Sequence, residues 1–124
     1  MGYVHEISDK DLLKEININC VPMALMSNYM VPNMLKREKR SAIINVSSFA
    51  AENPVPYATT YSATKAYNDA FSKAISLEYS DKIDILSLRP LYVESNMTSH
   101  QDSAIMITRK ECASATIKYL GIDY

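Results

Sequence analysis

The stretch Ala42-Ile43-Ile44-Asn45-Val46-Ser47 decides the fold class. It is short, β-branched and almost wholly apolar, which is the pattern of a central parallel strand covered on both faces. Helical periodicity lies on either side of it. Upstream, Leu12, Leu13, Ile16, Met23, Met26 and Met30 fall near one stripe, which predicts a helix from about Asp9 to Arg37. Ser8 or Asp9 can cap its start, and Asp11 and Glu15 suit the positive end of its dipole. Pro22 interrupts that helix, because it lacks an N–H and frees the carbonyl of Ile18. The outcome is a kink, or two shorter helices with a break near Asn19.

Downstream, Pro54 and Pro56 hold a loop. A second helix is expected from Tyr57 or Tyr61 to Tyr79, with Thr59 or Thr60 as its cap. Its Ala63, Ala66, Ala70 and Ala74 offer a small-residue surface for close packing. A second strand, Ile83 to Leu88, ends at Arg89-Pro90, and a loop follows from about Leu91 to Ile107. Thr108-Arg109-Lys110-Glu111 reads as a capping box that opens a last helix. Gly121 is placed to stop that helix in a left-handed conformation. The order helix, strand, helix, strand, helix is that of an α/β layer fold.

Composition sets the limits of the reading. The chain has 124 residues, of which 48% are hydrophobic and 22% charged, which suits one soluble domain. Thirteen basic and fourteen acidic residues leave a formal net charge of −1. That balance carries no footprint for nucleic acid and no polybasic membrane patch. The run Lys36, Arg37, Lys39, Arg40 is read as a solvated helix end. Gly2 and Gly121 are the two glycines, so the chain cannot supply a glycine-rich phosphate turn. Cys20 and Cys112 make no disulfide framework, and a reducing compartment is the default. His5 and His100 stand apart from the cysteines and from each other, so no metal site is expected. No apolar run approaches the length of a membrane span.

Tyr61-Ser62-Ala63-Thr64-Lys65 is the sequence with chemical potential. On a helix, positions i and i+4 share a face, so Tyr61 and Lys65 can sit side by side. A neighbouring ammonium favours tyrosinate, and a tyrosine so tuned can act as general acid or base. The pair alone proves nothing, since chance supplies about 0.7 such pairs at this composition. Lys65 could equally bond to Asp69 as a surface pair. The context adds weight. Ser48 lies at the end of the apolar strand, where α/β sheets bind ligands, and Pro90, Val93 and Ser95 lie beyond the end of the second strand on the same rim.

With these residues in view, the sequence resembles the short-chain dehydrogenase/reductases. Tyr61 to Lys65 matches their YxxxK motif, and Ser48 in Asn45-Val46-Ser47-Ser48 matches their active-site serine. Asn19, on the long preceding helix, matches their fourth catalytic residue. Pro90 to Ser95 matches their Pro-Gly-x-Val-x-Thr loop, with Leu91 in place of Gly and Ser95 in place of Thr. The finer resemblance is to the very-long-chain 3-oxoacyl-CoA reductase and 17-beta-hydroxysteroid dehydrogenase branch. It is carried by Asn53-Pro54-Val55-Pro56, Thr60 to Lys65, Arg89 to Val93, and Ala115 to Gly121.

The resemblance implies a partial Rossmann-like, doubly wound parallel sheet forming a single catalytic segment over residues 1–124. The amino-terminal cofactor-binding half of the family pattern has no counterpart in it. Asn19, Ser48, Tyr61 and Lys65 are implied as catalytic, with Ser48 also binding substrate. Tyr61, Lys65, Pro90, Val93 and Ser95 are implied to bind NAD or NADP, with NADPH favoured by the branch. Tyr61 would exchange a proton with the substrate oxygen, and Asn19 would hold a water linking Lys65 to solvent. The implied substrate is an acyl-CoA or steroid carbonyl, with much of its recognition in the loop from Asn96 to Met106. A homo-oligomer through the two long helices is implied, as is a cytoplasmic-face setting, associated with the endoplasmic reticulum in a full-length form. The other reading is an inactive remnant that serves as a dimerisation or interaction module.

Overall fold

A computed structural model of the chain describes residues 2–95 and 105–121. His100 and most of the Asn96 to Met106 loop lie outside the described residues. The elements run α1 (Asp9–Asn19), α2 (Val21–Leu35), β1 (Ser41–Val46), α3 (Thr59–Tyr79), β2 (Ile83–Leu88), β3 (Tyr92–Val93), β4 (Met106–Ile107) and α4 (Arg109–Tyr119). Short 3-10 turns at Val4–Glu6 and Phe49–Ala51 complete the order.

The expected long first helix is two helices. Ser8 caps α1 by accepting from the Asp11 amide at 3.2 Å. The helix ends at Asn19, and after Cys20 a new one begins, with Pro22 in its first turn, where a missing N–H costs nothing. Pro32 lies inside α2. The cap of α3 departs from expectation. Ala58 occupies the N-cap without a side-chain bond, and Thr59 and Thr60 are already helical. At α4 the capping box forms as expected: Thr108 accepts from the Glu111 amide, and Glu111 accepts from the Thr108 amide at 2.8 Å. Gly121 adopts φ +77, the left-handed stop.

β1 and β2 pair in parallel, in register from Ser41 opposite Ile83 to Val46 opposite Leu88. The crossover helix α3 packs against them. The expected loop after Pro90 contains a second parallel pair, β3 with β4, two residues long. So short a pair leaves almost no periodic signal in sequence.

Among the described residues, β1 is covered on one face only. Asn45 is buried against α3, whereas Ile44 and Val46 on the other face are 41% and 52% exposed. The seam between sheet and helix is unusually polar. Asn45, Ser62, Thr64, Asn68, Asp69 and Ser72 are all buried there or along α3, with Ile75 and Ile83 as the apolar part. Hydrogen bonds make this tolerable for most of these groups, while the buried Asn68 Oδ1 has no partner among the described residues. Asn45 donates to Ser72 Oγ at 2.9 Å, and Ser72 donates to the Asn68 carbonyl at 2.7 Å. The basic run after α2 is more than a solvated end. Arg40 donates to the carbonyls of Asp81 and Ser80 at 2.9 and 2.8 Å and pairs with Asp84, which binds the start of β1 to the α3–β2 turn.

Candidate active site

The site is assembled where β1 and β2 end. Pairing continues past the strands: Ser47 N–H donates to the Leu88 carbonyl at 2.7 Å, and Phe49 N–H to that of Pro90 at 3.0 Å. Ser48 and Pro90 are thereby held side by side on the carboxyl rim of the sheet. Ser48 is buried, and its Oγ accepts from the Ala50 amide at 3.2 Å, so it caps the 3-10 turn. That bond uses an oxygen lone pair and leaves the hydroxyl proton available to an acceptor on the rim.

α3 enters next to this turn. Lys65 Nζ donates to the Val46 carbonyl at 3.1 Å and lies 5.7 Å from the centre of the Tyr61 ring. Burial pushes the Lys65 ammonium below the usual lysine range, and the nearby Cys20 thiol works in the opposite direction. Ser47 Oγ donates to the Lys65 carbonyl at 2.7 Å. The two adjacent serines therefore have different tasks. Ser47 ties strand to helix, and Ser48 caps the turn that follows.

Asn19 approaches from the end of α1. Its Nδ2 donates to Thr64 Oγ1 at 3.1 Å, and Thr64 Oγ1 donates to the Tyr61 carbonyl at 2.8 Å. The helix break at Cys20 puts the amide side chain against the turn of α3 that carries both Tyr61 and Lys65. Burial pushes the Cys20 thiol up, with the Lys65 charge opposing it. Asn19, Ser48, Tyr61, Lys65 and Pro90 are thus gathered by a continuous set of hydrogen bonds and chain neighbours. Val93 and Ser95 lie further along, where the backbone is set by β3–β4 pairing and by the Glu94 amide on the Ile107 carbonyl.

The expected option of a Lys65–Asp69 pair is not taken. Asp69 bonds instead to Lys73 at 2.6 Å and accepts from Ser87 at 2.6 Å. Thr64, Ser47 and the Val46 carbonyl were not foreseen as parts of the site. A small hydroxyl residue inside a helix resembles a solvated one until its partner element is known. Among the described residues no cluster of His, Cys, Asp or Glu could hold a metal ion.

The fold is that of a partial Rossmann-like α/β protein. The chain belongs to the short-chain dehydrogenase/reductase family, whose "short chain dehydrogenase" pattern matches residues 1–105. It is similar to human "Inactive hydroxysteroid dehydrogenase-like protein 1", 36% identical over 98% of this chain and 38% of that protein. It is also similar to the "Very-long-chain 3-oxoacyl-CoA reductase" of Anas platyrhynchos, 42% identical over 73% of this chain and 29% of that protein. The chain thus spans less than two-fifths of these relatives. Among solved structures, acetoin dehydrogenase from Enterobacter cloacae superposes with a TM-score of 0.82 at 19% identity, over 96% of this chain and 50% of that one. ElxO with NADP bound does so with a TM-score of 0.83 at 22% identity, over 99% and 55%. These likenesses establish the partial Rossmann-like fold.

Proposed function

We propose that this chain is the catalytic segment of an NAD(P)-dependent oxidoreductase that interconverts a carbonyl and an alcohol. The observation that carries the reading is the placement of Lys65 Nζ beside the Tyr61 ring, at the end of the strand that also presents Ser48. Tyr61 gives its phenolic proton to the substrate oxygen in reduction and takes it back in oxidation. Lys65 sets a positive charge beside that ring. Ser48 donates to the same substrate oxygen and polarises the carbonyl. Asn19 holds the helix turn that carries Tyr61, and a water at this helix break would return a proton through Lys65.

The residues present fit the nicotinamide end of such a cofactor. The half-buried Lys65 ammonium offers donors for the ribose, and the backbone after Pro90 is at the rim; Pro90, Val93 and Ser95 are assigned to the nicotinamide side. A glycine-rich pyrophosphate turn is not encoded in this sequence. When bound there, such a cofactor would supply hydride to the substrate carbon. NADPH is favoured, with a 3-oxoacyl-CoA or a steroid ketone as substrate, from the likeness to the very-long-chain reductases and hydroxysteroid dehydrogenase-like proteins. A homo-oligomer through α2 and α3 fits the exposed Met26, Tyr29 and Leu77 on those helices. The same likeness supports a setting on the cytoplasmic face of the endoplasmic reticulum. No described helix is long and apolar enough to cross a membrane.

The test is the oxidation of NADPH or NADH, followed by absorbance, with a 3-oxoacyl thioester and a steroid ketone as alternative substrates. Turnover that falls at least about 100-fold in Tyr61→Phe supports the reading. A second reading, an interaction module without catalysis, is favoured by the relative whose name begins "Inactive" and which covers 98% of this chain. Failure to enhance the fluorescence of either reduced cofactor, together with sedimentation as a dimer, would establish that second reading.

A further inference from the structure

Four charged side chains form a closed ring of alternating sign beside the site. Asp69 and Lys73 come from α3, Glu52 from the turn after Ser48, and Arg89 from the end of β2. Lys73 Nζ is 2.6 Å from Asp69 and 3.9 Å from Glu52; Arg89 Nε is 3.8 Å from Asp69, and Arg89 Nη1 contacts Glu52 directly. Asp69 is the buried member, its side chain 8% exposed, while the other three are 38% exposed or more. Ser87, on β2, donates to the same carboxylate at 2.6 Å.

The position of each corner is informative. Asp69 lies four residues after Lys65, Glu52 four after Ser48, and Arg89 immediately before Pro90. The ring therefore joins three of the chain segments that carry the site, those of Ser48, Lys65 and Pro90, and leaves out the end of α1 that carries Asn19. Exposed ion pairs contribute little singly, but a buried carboxylate with several partners holds its geometry.

We propose that Asp69 is a positioning residue of this site, which through Arg89 and Glu52 sets the Pro90 loop and the Ser48 turn against the Tyr61–Lys65 helix. Its catalytic consequence rests on the oxidoreductase reading above, while its structural consequence does not. Because the Pro90 loop is the part assigned to the nicotinamide, loosening it should weaken cofactor use more than ketone use.

The test compares the full chain with Asp69→Asn by amide hydrogen exchange, and then by kinetics. Exchange in Phe49–Glu52 and in Arg89–Glu94 should quicken about tenfold or more, while α1 and α2 keep their rates. The KM for NADPH should rise about fivefold with the ketone KM unchanged. Arg89→Gln keeps Asp69 bonded to Lys73 and Ser87, and should loosen the same two segments even where Asp69→Asn does not fold. Unchanged exchange in both segments, or a uniform acceleration across every element, would overturn the proposal. A wild-type chain without turnover would defeat the oxidoreductase reading instead, and the exchange measurement would still decide the role of Asp69.

Discussion

Ser47 and Lys65 are clasped in both directions: the serine hydroxyl donates to the lysine carbonyl at 2.7 Å, and the lysine ammonium donates to the carbonyl of Val46, one residue before the serine, at 3.1 Å. The clasp fixes the height of α3 on the strand, and so places Tyr61 relative to Ser48. Losing the Ser47 half removes one hydrogen bond from a part-buried carbonyl that keeps its helical donor, which costs about 0.5–1.5 kcal/mol. Ser47→Ala should therefore lower the urea midpoint of unfolding. Ser48→Ala removes only the cap of a short 3-10 turn and should cost about 1 kcal/mol or less. Its effect should appear in turnover, with a loss of about 100-fold. Equal effects of the two alanine variants on both stability and turnover would refute this division of labour.

The Asn19 contact depends on the helix break. With Pro22 replaced by alanine, an amide becomes available to the Ile18 carbonyl, and α1 and α2 can merge into one helix. Pro22→Ala should raise helical content slightly by circular dichroism and pull Asn19 away from Thr64. Asn19→Ala removes the same bond without touching the backbone, at a cost of about 1 kcal/mol. In NMR, the side-chain amide signals of Asn19 should shift in Pro22→Ala and should respond to Thr64→Val in the wild type.

Arg40 joins elements far apart in sequence with one guanidinium. Its fork meets the Ser80 and Asp81 carbonyls together with the Asp84 carboxylate. A lysine cannot match several acceptors in a plane, so Arg40→Lys should behave nearly like Arg40→Met. Both should lose about 1–2 kcal/mol, read from urea unfolding, with little response to salt in the part due to the carbonyl bonds.

The α/β class, both main strands and the last helix with its capping box were legible in sequence because each has a local cause. A β-branched run makes β1 and β2, Thr108 and Glu111 cap α4, and Gly121 takes the positive φ that stops it. The short β3–β4 pair and the bare cap at Ala58 were not legible, since neither has a local pattern. Nor was the exposure of Ile44 and Val46, because composition cannot say which neighbour covers a strand. At the site, the Tyr61–Lys65 spacing was sufficient to bring ring and ammonium together. The partners of Ser47, Thr64 and Asp69 depended on elements 18 to 45 residues away. The Asp69 side chain shows the difficulty, for Lys65 and Lys73 stand at equal spacing on either side of it and only the sheet decides between them.

That choice of partner has a pH consequence. Burial pushes the Asp69 carboxyl up, but bonds from Lys73 and Ser87 and the charges of Lys73 and Arg89 outweigh it and hold the carboxyl below the usual aspartate range. A carboxyl depressed in the folded state stabilises the fold at pH values above the unfolded pKa of about 3.9. That stabilisation is lost as pH falls through the lower folded value. Unfolding free energy should thus decline steeply on acidification below about pH 4. Asp69→Asn should be less stable than wild type by about 1–3 kcal/mol at pH 7, with the gap closing at low pH. Glu111 is also depressed, by its bonds from the Thr108 amide and hydroxyl, so Glu111→Gln is the control. Urea titrations at several pH values should show the steep decline surviving in Glu111→Gln and flattened in Asp69→Asn. Parallel pH profiles for wild type and Asp69→Asn would mean that the ring of charges does not hold the buried carboxylate in its charged form.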